Sequence, residues 1–448
     1  MSGGAPETAP VVDLAHDGRG VARLGGKAVF VAGALPGETI SLVRLRRRAR
    51  HDEARLIAVL EPSPDRVTPR CVHFGRCGGC ALQQLAPAAQ LRAKQRELHE
   101  QLARVGHVAA QRHLAPLEGP LWSYRRRARL GVKYLARSGR VIVGFRERDS
   151  PRLAALSRCE VLAAPVGTLT LELGALIATL EVRAALPQIE VAIGEAGAGA
   201  AGELGDRPVV ALVLRVLTPP TVADLERLSD FARVHGVEFW LQPGGPATAR
   251  PLAAAATPLR YALPEFGVTI EFEPLDFVQV NGELNRRMVS HALALLAPGP
   301  SDSVLDLYCG LGNFTLPLAR RAALVQGVEG DAALVARARA NAARNGIGNA
   351  RFARADLAGD LAGEAWARQR YERVLLDPPR AGAAELLPVI AASGAGRIVY
   401  ISCHPGSLAR DAGLLVREHG FRLEAAGVMD MFPHTAHVEA IAVFERAA

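Results

Sequence analysis

The chain has 448 residues, 49% of them apolar and 22% charged, so it exceeds the roughly 250–300 residues at which single cores stop growing and is expected to divide into several domains. Arginines and acids interrupt every apolar run, which excludes a membrane-spanning helix, and the opening MSGGAPETAP has neither the basic nor the apolar region of a secretory signal, so a cytoplasmic protein is expected. The 53 basic residues exceed the 45 acidic ones by 8, a modest excess concentrated in two runs, Arg44, Arg46, Arg47, Arg48 and Arg50, then Arg125, Arg126, Arg127 and Arg129, which suit phosphate groups or a plain solvated surface equally well.

Residues 1–64 read as short strands separated by Gly-rich turns. VARLGGKAVFV predicts a hairpin turning at Gly25-Gly26, and strands this dense suggest a small β-barrel, an architecture that often binds RNA. Glu61-Pro62-Ser63-Pro64 marks a linker. Residues 65–268 form a central α+β region. It opens with three cysteines and a helix over residues 87–105, continues with a hairpin in RARLGVKYLARSGRVIVGFRE and a buried strand in RPVVALVLRVL, and carries a low-complexity loop at 194–205. Residues 269–448 alternate strong apolar runs with helical patterns, which predicts βαβ units, a parallel sheet and a site at the carboxyl ends of its strands.

Cys71-x5-Cys77-x2-Cys80, with Gly75, Gly78 and Gly79 between, is a tight loop suited to several thiolates around one centre, and Cys159 can supply a fourth. Zinc sites usually show two closely spaced cysteine pairs. Only one is present here, which favours an iron–sulfur cluster over zinc.

In the last region, Val304-Leu305-Asp306-Leu307-Tyr308-Cys309-Gly310-Leu311-Gly312-Asn313 is a strand entering a glycine turn, similar to the first motif of class I methyltransferases. The third glycine of a dinucleotide fingerprint is absent. Glu329 ends the second strand, where an acid can accept from ribose hydroxyls, and Asp356 follows the third as a partner for an adenine amine. Asp377-Pro378-Pro379-Arg380 closes the next strand with no adjacent cysteine, unlike cytosine-C5 enzymes of the Pro-Cys type. Cys403, in Ser402-Cys403-His404-Pro405 after the strand RIVYI, stands where a nucleophile belongs, whereas Cys309 reads as packing beside the ligand. Glu439, before the final apolar run, is the expected base, with His434 and His437 as alternatives.

These residues together resemble the RNA uracil-C5 methyltransferase family over nearly the whole chain, and the resemblance carries specific expectations. The fold is a class I, Rossmann-like α/β domain preceded by a TRAM-like (OB-like) barrel and the central domain. Cys71, Cys77, Cys80 and Cys159 hold a [4Fe–4S] cluster. Asp276-Phe277-Val278-Gln279-Val280-Asn281 matches a family segment in which Gln279 meets the cofactor, S-adenosyl-L-methionine, and Tyr308, Asn313, Glu329, Asp356 and Asp377 fall at cofactor or substrate positions. Cys403 corresponds to the nucleophile and Glu439 to the base. Two positions depart from the family pattern: His404 stands where asparagine is usual, and Asp356 where asparagine occurs. Barrel and cysteine cluster together favour 23S rRNA, of the position-1939 type, as substrate. Another 23S rRNA uridine or the tRNA T-loop, base-amine methylation at the D-P-P loop, and a non-catalytic RNA-binding iron–sulfur protein are the competing readings. A monomer with no membrane or DNA partner is expected.

Overall fold

The computed structural model describes residues 5–195, 207–361 and 363–446, so all but the first two residues of the expected 194–205 loop lie outside the described residues. At the N-terminus, β1 (Glu7–Leu14), β2 (Gly20–Leu24), β3 (Lys27–Ala32), β4 (Thr39–Arg47) and β5 (His51–Glu61) close into a barrel in the order β1-β2-β3-β5-β4. Alternation along the strands sends Val11, Ala22, Val29, Val31, Ile40 and Leu42 inward. The β2–β3 hairpin turns where expected: Gly25 and Gly26 have φ of 60° and 77°, the left-handed pair that a two-residue hairpin requires. The first arginine run is partly structural. Arg44 bonds Glu7 at 2.8 Å and the buried Asp52 at 2.7 Å, and Lys27 reaches Asp52 at 2.7 Å. These cations, Lys27 first, hold the Asp52 carboxyl down to about 2.

The cysteine loop leads into α1 (Pro87–Gln101), which starts on a proline and runs on through a wider, π-helical turn over Leu102–Gly106 before His107, at φ 54°, stops it. Leu98 and Leu102 bury one face of this helix against the C-terminal domain. Lys94 does the same with charge. It bonds Asp430 at 2.7 Å, with side chains only 3% and 5% exposed, and donates to the Phe432 carbonyl at 3.0 Å. Lys94→Met should therefore strand a buried carboxylate and cost about 3–5 kcal/mol in urea unfolding, and a second change, Asp430→Leu, should recover most of that loss. Equal stability of wild type and Lys94→Met would contradict this.

A short strand, β6 (Arg112–His113), comes next. The central sheet has the order β12-β11-β10-β9-β7-β8, built from β7 (Arg127–Leu135), β8 (Arg140–Gly144), β9 (Gln188–Ile193), β10 (Val210–Arg215), β11 (Glu238–Gln242) and β12 (Arg250–Pro251). The β7–β8 hairpin and the buried β10 match the sequence reading. Helices α2 (Thr170–Thr179) and α3 (Val222–His235) accompany this sheet, α3 opening on a Thr221–Asp224 capping box and closing on Gly236. The second arginine run is also tied down: Arg126 pairs with Glu195, Arg129 with Glu190, and Arg127 donates to the Pro274 carbonyl. Its expected availability to phosphate is thus reduced by local carboxylates.

A hairpin, β13 (Leu259–Leu263) and β14 (Val268–Phe272), precedes α4 (Gly282–Leu296), whose N-terminus Asn281 caps by accepting from Leu284 N–H at 3.2 Å. Then follow β15 (Ser303–Leu307), α5 (Thr315–Ala319), β16 (Leu324–Glu329), α6 (Ala332–Arg344), β17 (Ala350–Arg354), β18 (Arg373–Leu376), α7 (Leu387–Ala392), β19 (Arg397–Ser402), α8 (Pro405–Glu418), β20 (Phe421–Met429) and β21 (Glu439–Arg446). The sheet order is β17-β16-β15-β18-β19-β21-β20-β6, with β15 to β19 parallel and β21 inserted antiparallel between β19 and β20. This is the expected α/β methyltransferase-type domain. Its edge is completed by β6, from far upstream, which pairs with β20 through Arg112 and His113.

Candidate active site

Sheet order explains how distant residues meet. In parallel strands every carboxyl end faces the same way, so Tyr308 after β15, Glu329 at the end of β16, Asp356 beyond β17, Asp377 after β18 and Cys403 after β19 lie along one rim. Strand β21 runs the other way, and its start returns to that rim. Ser402 opposes Ala440 in the register, so the next step along sets Cys403 against Glu439.

The glycine turn has the form that a ligand lying over it requires. Gly310 and Gly312 have φ of 53° and 91°, and a Cβ built on Gly310 would meet nothing within 4 Å. Tyr308, just before, holds a left-handed φ of 62°, an uncommon conformation for a non-glycine residue. The Glu329 carboxylate accepts from Gly310 N–H at 3.1 Å and Asp331 N–H at 3.0 Å, which orients it on the rim. Asp356 is exposed, and its carboxylate accepts a local bond from Ala358 N–H at 3.1 Å. Asn313 exchanges bonds with Asn285 at 3.0 Å and accepts from Tyr261 at 3.0 Å. Tyr261 and Asn285 thus brace an expected cofactor position, and no sequence spacing links the three. Gln279 donates to Asp377 at 3.4 Å, joining the Asp276–Asn281 segment to the D-P-P loop. These residues fit a nucleoside-bearing cofactor laid across the loop, with acids for its hydroxyl and amine groups.

Cys403 opens onto a cleft of about 740 Å³ whose walls come from every part of the chain: His16 and Asp17 from the barrel, Gly78 and Gly79 from the cysteine loop, Arg125 and Phe145 from the central sheet, and Arg380 and His437 from the last domain. Of these, the barrel residues and Phe145 carry no chemical motif in the sequence, and Arg125 reads there only as part of an arginine run; only the fold brings them here.

The electrostatics of the cleft are set by buried acids. Burial pushes Asp377 up to about 7, and burial together with the charge on Asp377 pushes Glu439 well above the usual carboxylate range. Burial, then Glu439 and Asp377, push the Cys403 thiol up to about 11, against the opposing pull of Arg380. Burial thus pushes the thiol and both carboxyls toward their neutral forms. The alternative bases differ. His434 is stacked on Trp122 at 3.9 Å, its ring is held by Gln90 at 3.3 Å, its carbonyl accepts from Ala81 and Leu82, and burial lowers it to about 4, so it is a structural residue. His437 remains at the cleft wall, lowered by burial and by Arg380. Cys309 is buried at 3% exposure and packs against Gly327, as expected of a packing residue.

The fourth cysteine joins the first three. Cys71, Cys77, Cys80 and Cys159 line one small cavity with Phe145, and burial raises Cys77 to about 11 and Cys80 to about 12. No group of three or more His, Cys, Asp or Glu among the described residues is arranged around a single metal-ion position. One buried and three half-buried thiols, none in a disulfide, share this cavity, and four thiols are a donor set whose chemistry suits an iron–sulfur cluster.

Comparison with known proteins gives a consistent picture. The family model for tRNA (uracil-5-)-methyltransferase matches residues 268–447. The chain is 53% identical to the 23S rRNA (uracil(1939)-C(5))-methyltransferase RlmD of Alkalilimnicola ehrlichii, over 98% of this chain and 96% of that one. It is 50% identical to the RlmD of Stenotrophomonas maltophilia, over 98% and 97%. Among solved structures, the Pyrococcus abyssi tRNA (uracil-54, C5)-methyltransferase, in complex with S-adenosyl-L-homocysteine, superposes with a TM-score of 0.73 at 22% identity, covering 98% of this chain and 99% of that one, a likeness of fold.

Proposed function

The chain belongs to the RNA uracil-C5 methyltransferase family, and from that premise we propose that it transfers a methyl group from S-adenosyl-L-methionine to C5 of a uridine in 23S rRNA, of the position-1939 type, through a covalent bond between Cys403 and C6. The observation that carries the mechanism is the convergence of Cys403, Glu439 and Asp377 on three neighbouring strands, with both buried carboxyls close enough to act on the thiol, which itself opens onto the cleft.

Uracil C5 is too weak a nucleophile to take a methyl group unaided. The Cys403 thiol gives up its proton to solvent in the open cleft, and addition of the thiolate to C6 then places negative charge on O4 and C5, which makes C5 reactive. When bound, S-adenosyl-L-methionine supplies an electrophilic methyl at the glycine-turn rim. Asp377 follows β18, which lies between β15 and β19 in sheet order, and with Gln279, bonded to it, suits orienting the base. Glu439 then removes the C5 proton, and elimination restores the free thiol. Incubation with 5-fluorouridine RNA should trap the protein, because fluorine cannot leave as a proton would, and the RNA should be found on the Cys403 peptide. Methyl transfer with no such adduct would favour base-amine chemistry instead.

Cys71, Cys77, Cys80 and Cys159 would hold an iron–sulfur cluster with a structural role, since methyl transfer from a sulfonium is not a redox reaction. Gly78 and Gly79 line the catalytic cleft from within this loop, and Ala81 and Leu82, just after it, bond the His434 carbonyl at 2.9 and 3.0 Å. Anaerobic iron removal should therefore lower the melting temperature by several degrees and weaken RNA binding, with cofactor affinity nearly unchanged. An apo protein with unaltered melting temperature and RNA affinity would contradict it. The protein is proposed to act as a cytoplasmic monomer; no helix among the described residues is long and apolar enough to cross a membrane.

A further inference from the structure

Next to Cys403, the residue read as the nucleophile, stands His404. The backbone at His404 is extended, with φ −146°, and α8 starts at the next residue, so His404 is the N-cap of a 14-residue helix. Its ring does the capping. Ser407 N–H donates to His404 Nδ1 at 3.1 Å. The Ser407 hydroxyl directs its own hydrogen to the His404 carbonyl at 2.9 Å, so Nδ1 takes the backbone N–H with its lone pair. The ring in this bond is therefore neutral, with its hydrogen on Nε2. Ser402 completes the turn: its hydroxyl accepts from His404 N–H and donates to the His404 carbonyl, both at 3.1 Å. Cys403 sits between these two anchored residues, two positions ahead of the first residue of α8.

We propose that His404 is a positioning residue for the Cys403 nucleophile: its neutral imidazole, with Nδ1 as the acceptor that caps α8, holds the Cys403 turn in place, and a second proton on the ring releases it. The inference rests on the reading of Cys403 as the nucleophile. An asparagine side chain offers the same kind of acceptor to the helix N-terminus but has no second protonation state to lose it by. A doubly protonated imidazole has no lone pair for the Ser407 N–H, and its Nδ1–H would turn instead to the Ser407 hydroxyl, 3.3 Å away, leaving that N–H without its cap. The side chain of Gln101, on α1, lies beside this turn, its Oε1 3.7 Å from a Cβ built on Gly406. The charged or titratable groups facing the same cleft from other elements are Glu97, His16, Asp17, Arg125, Arg380 and His437. All are retained in every variant below, so they contribute equally.

The test compares wild type, His404→Asn and His404→Ala from pH 8.5 down to 5.5. Two rates are read: kcat/KM for methyl transfer, and adduct formation with 5-fluorouridine RNA. At pH 8, His404→Ala should be slower by about tenfold, the factor one lost cap corresponds to, while His404→Asn restores most of the rate. On acidification the ratio of His404→Asn to wild type should climb by about tenfold, in adduct formation as well as in turnover. A ratio that stays flat across this range overturns the proposal, as does a His404→Ala protein equal to wild type at pH 8. Should the alanine variant fail to bind S-adenosyl-L-methionine, and so prove misfolded, the ratio for His404→Asn still decides. Full methylation by Cys403→Ala would instead overturn the nucleophile assignment itself, an outcome separate from either result for His404.

Discussion

Cys403→Ala is expected to lose methyl transfer by a factor on the order of 10⁴ or more while still binding S-adenosyl-L-methionine. The asymmetry follows from position. Cys403 ends β19 and opens onto the cleft, whereas the glycine turn, Glu329 and Asp356 are carried by β15, β16 and β17 on the other side of β18. The thiol side chain touches no part of that rim in the hydrogen-bond pattern, so its loss removes the nucleophile and leaves the cofactor residues standing. Isothermal titration with S-adenosyl-L-methionine, beside a methylation assay, separates the two effects. Turnover near the wild-type rate would sink the covalent mechanism, and lost cofactor binding would mean that the substitution had disturbed the fold. The pH dependence has a definite sign. Burial and the neighbouring acids raise the thiol to about 11, so alkylation of Cys403 in the free protein should be slow at pH 8 and accelerate as the pH rises toward that value.

Glu439→Gln is expected to accumulate covalent protein–RNA complex and to lower turnover by about 10²- to 10⁴-fold, the range over which a positioned base contributes. Cys403 can still add to C6 in this variant. The C5 proton cannot be removed, so elimination stalls. A slower-migrating band on a denaturing gel, sensitive to nuclease, reports the adduct. Absence of that band together with lost activity would assign the base elsewhere, with His437, also on the cleft wall, the first alternative. Because burial and Asp377 raise the Glu439 carboxyl, this base is ionised only above the ordinary carboxylate range. Its contribution to turnover should appear as pH rises through that raised range and vanish as pH falls below it, and Glu439→Gln should lack this limb.

The residues proposed to carry the chemistry are legible in the sequence as positions because each borders a strongly apolar strand: Asp377 after RVLL, Cys403 after RIVYIS, Glu439 ahead of AIAVF. Strand ends in a parallel sheet share a rim, so a βαβ pattern alone predicts their convergence. The barrel was equally legible, since Gly25-Gly26 fixes one hairpin and the alternation of Val29 and Val31 fixes the inward face. Other features depend on contacts that leave no local periodicity. Nothing in Arg112-His113 signals a strand, because a two-residue edge pairing is decided by the neighbour it meets, here Ala425 and Ala426. The arginine runs look alike in sequence whether solvated or paired. Only the fold reveals that Arg44 faces Asp52 and that Arg126 and Arg129 face Glu195 and Glu190. His434 looked like a possible base until its ring was found between Trp122 and Gln90. His404 looked like a plain departure from the family pattern; its meaning lies in the capping bond from Ser407, which no spacing rule encodes.

The most direct test of the whole account is to incubate the purified protein with labelled S-adenosyl-L-methionine and unmodified 23S rRNA, digest the RNA to nucleosides and map the label. A single 5-methyluridine at the position-1939 type of site is the predicted result. Label on any base other than uridine, or no label on any RNA, would contradict it.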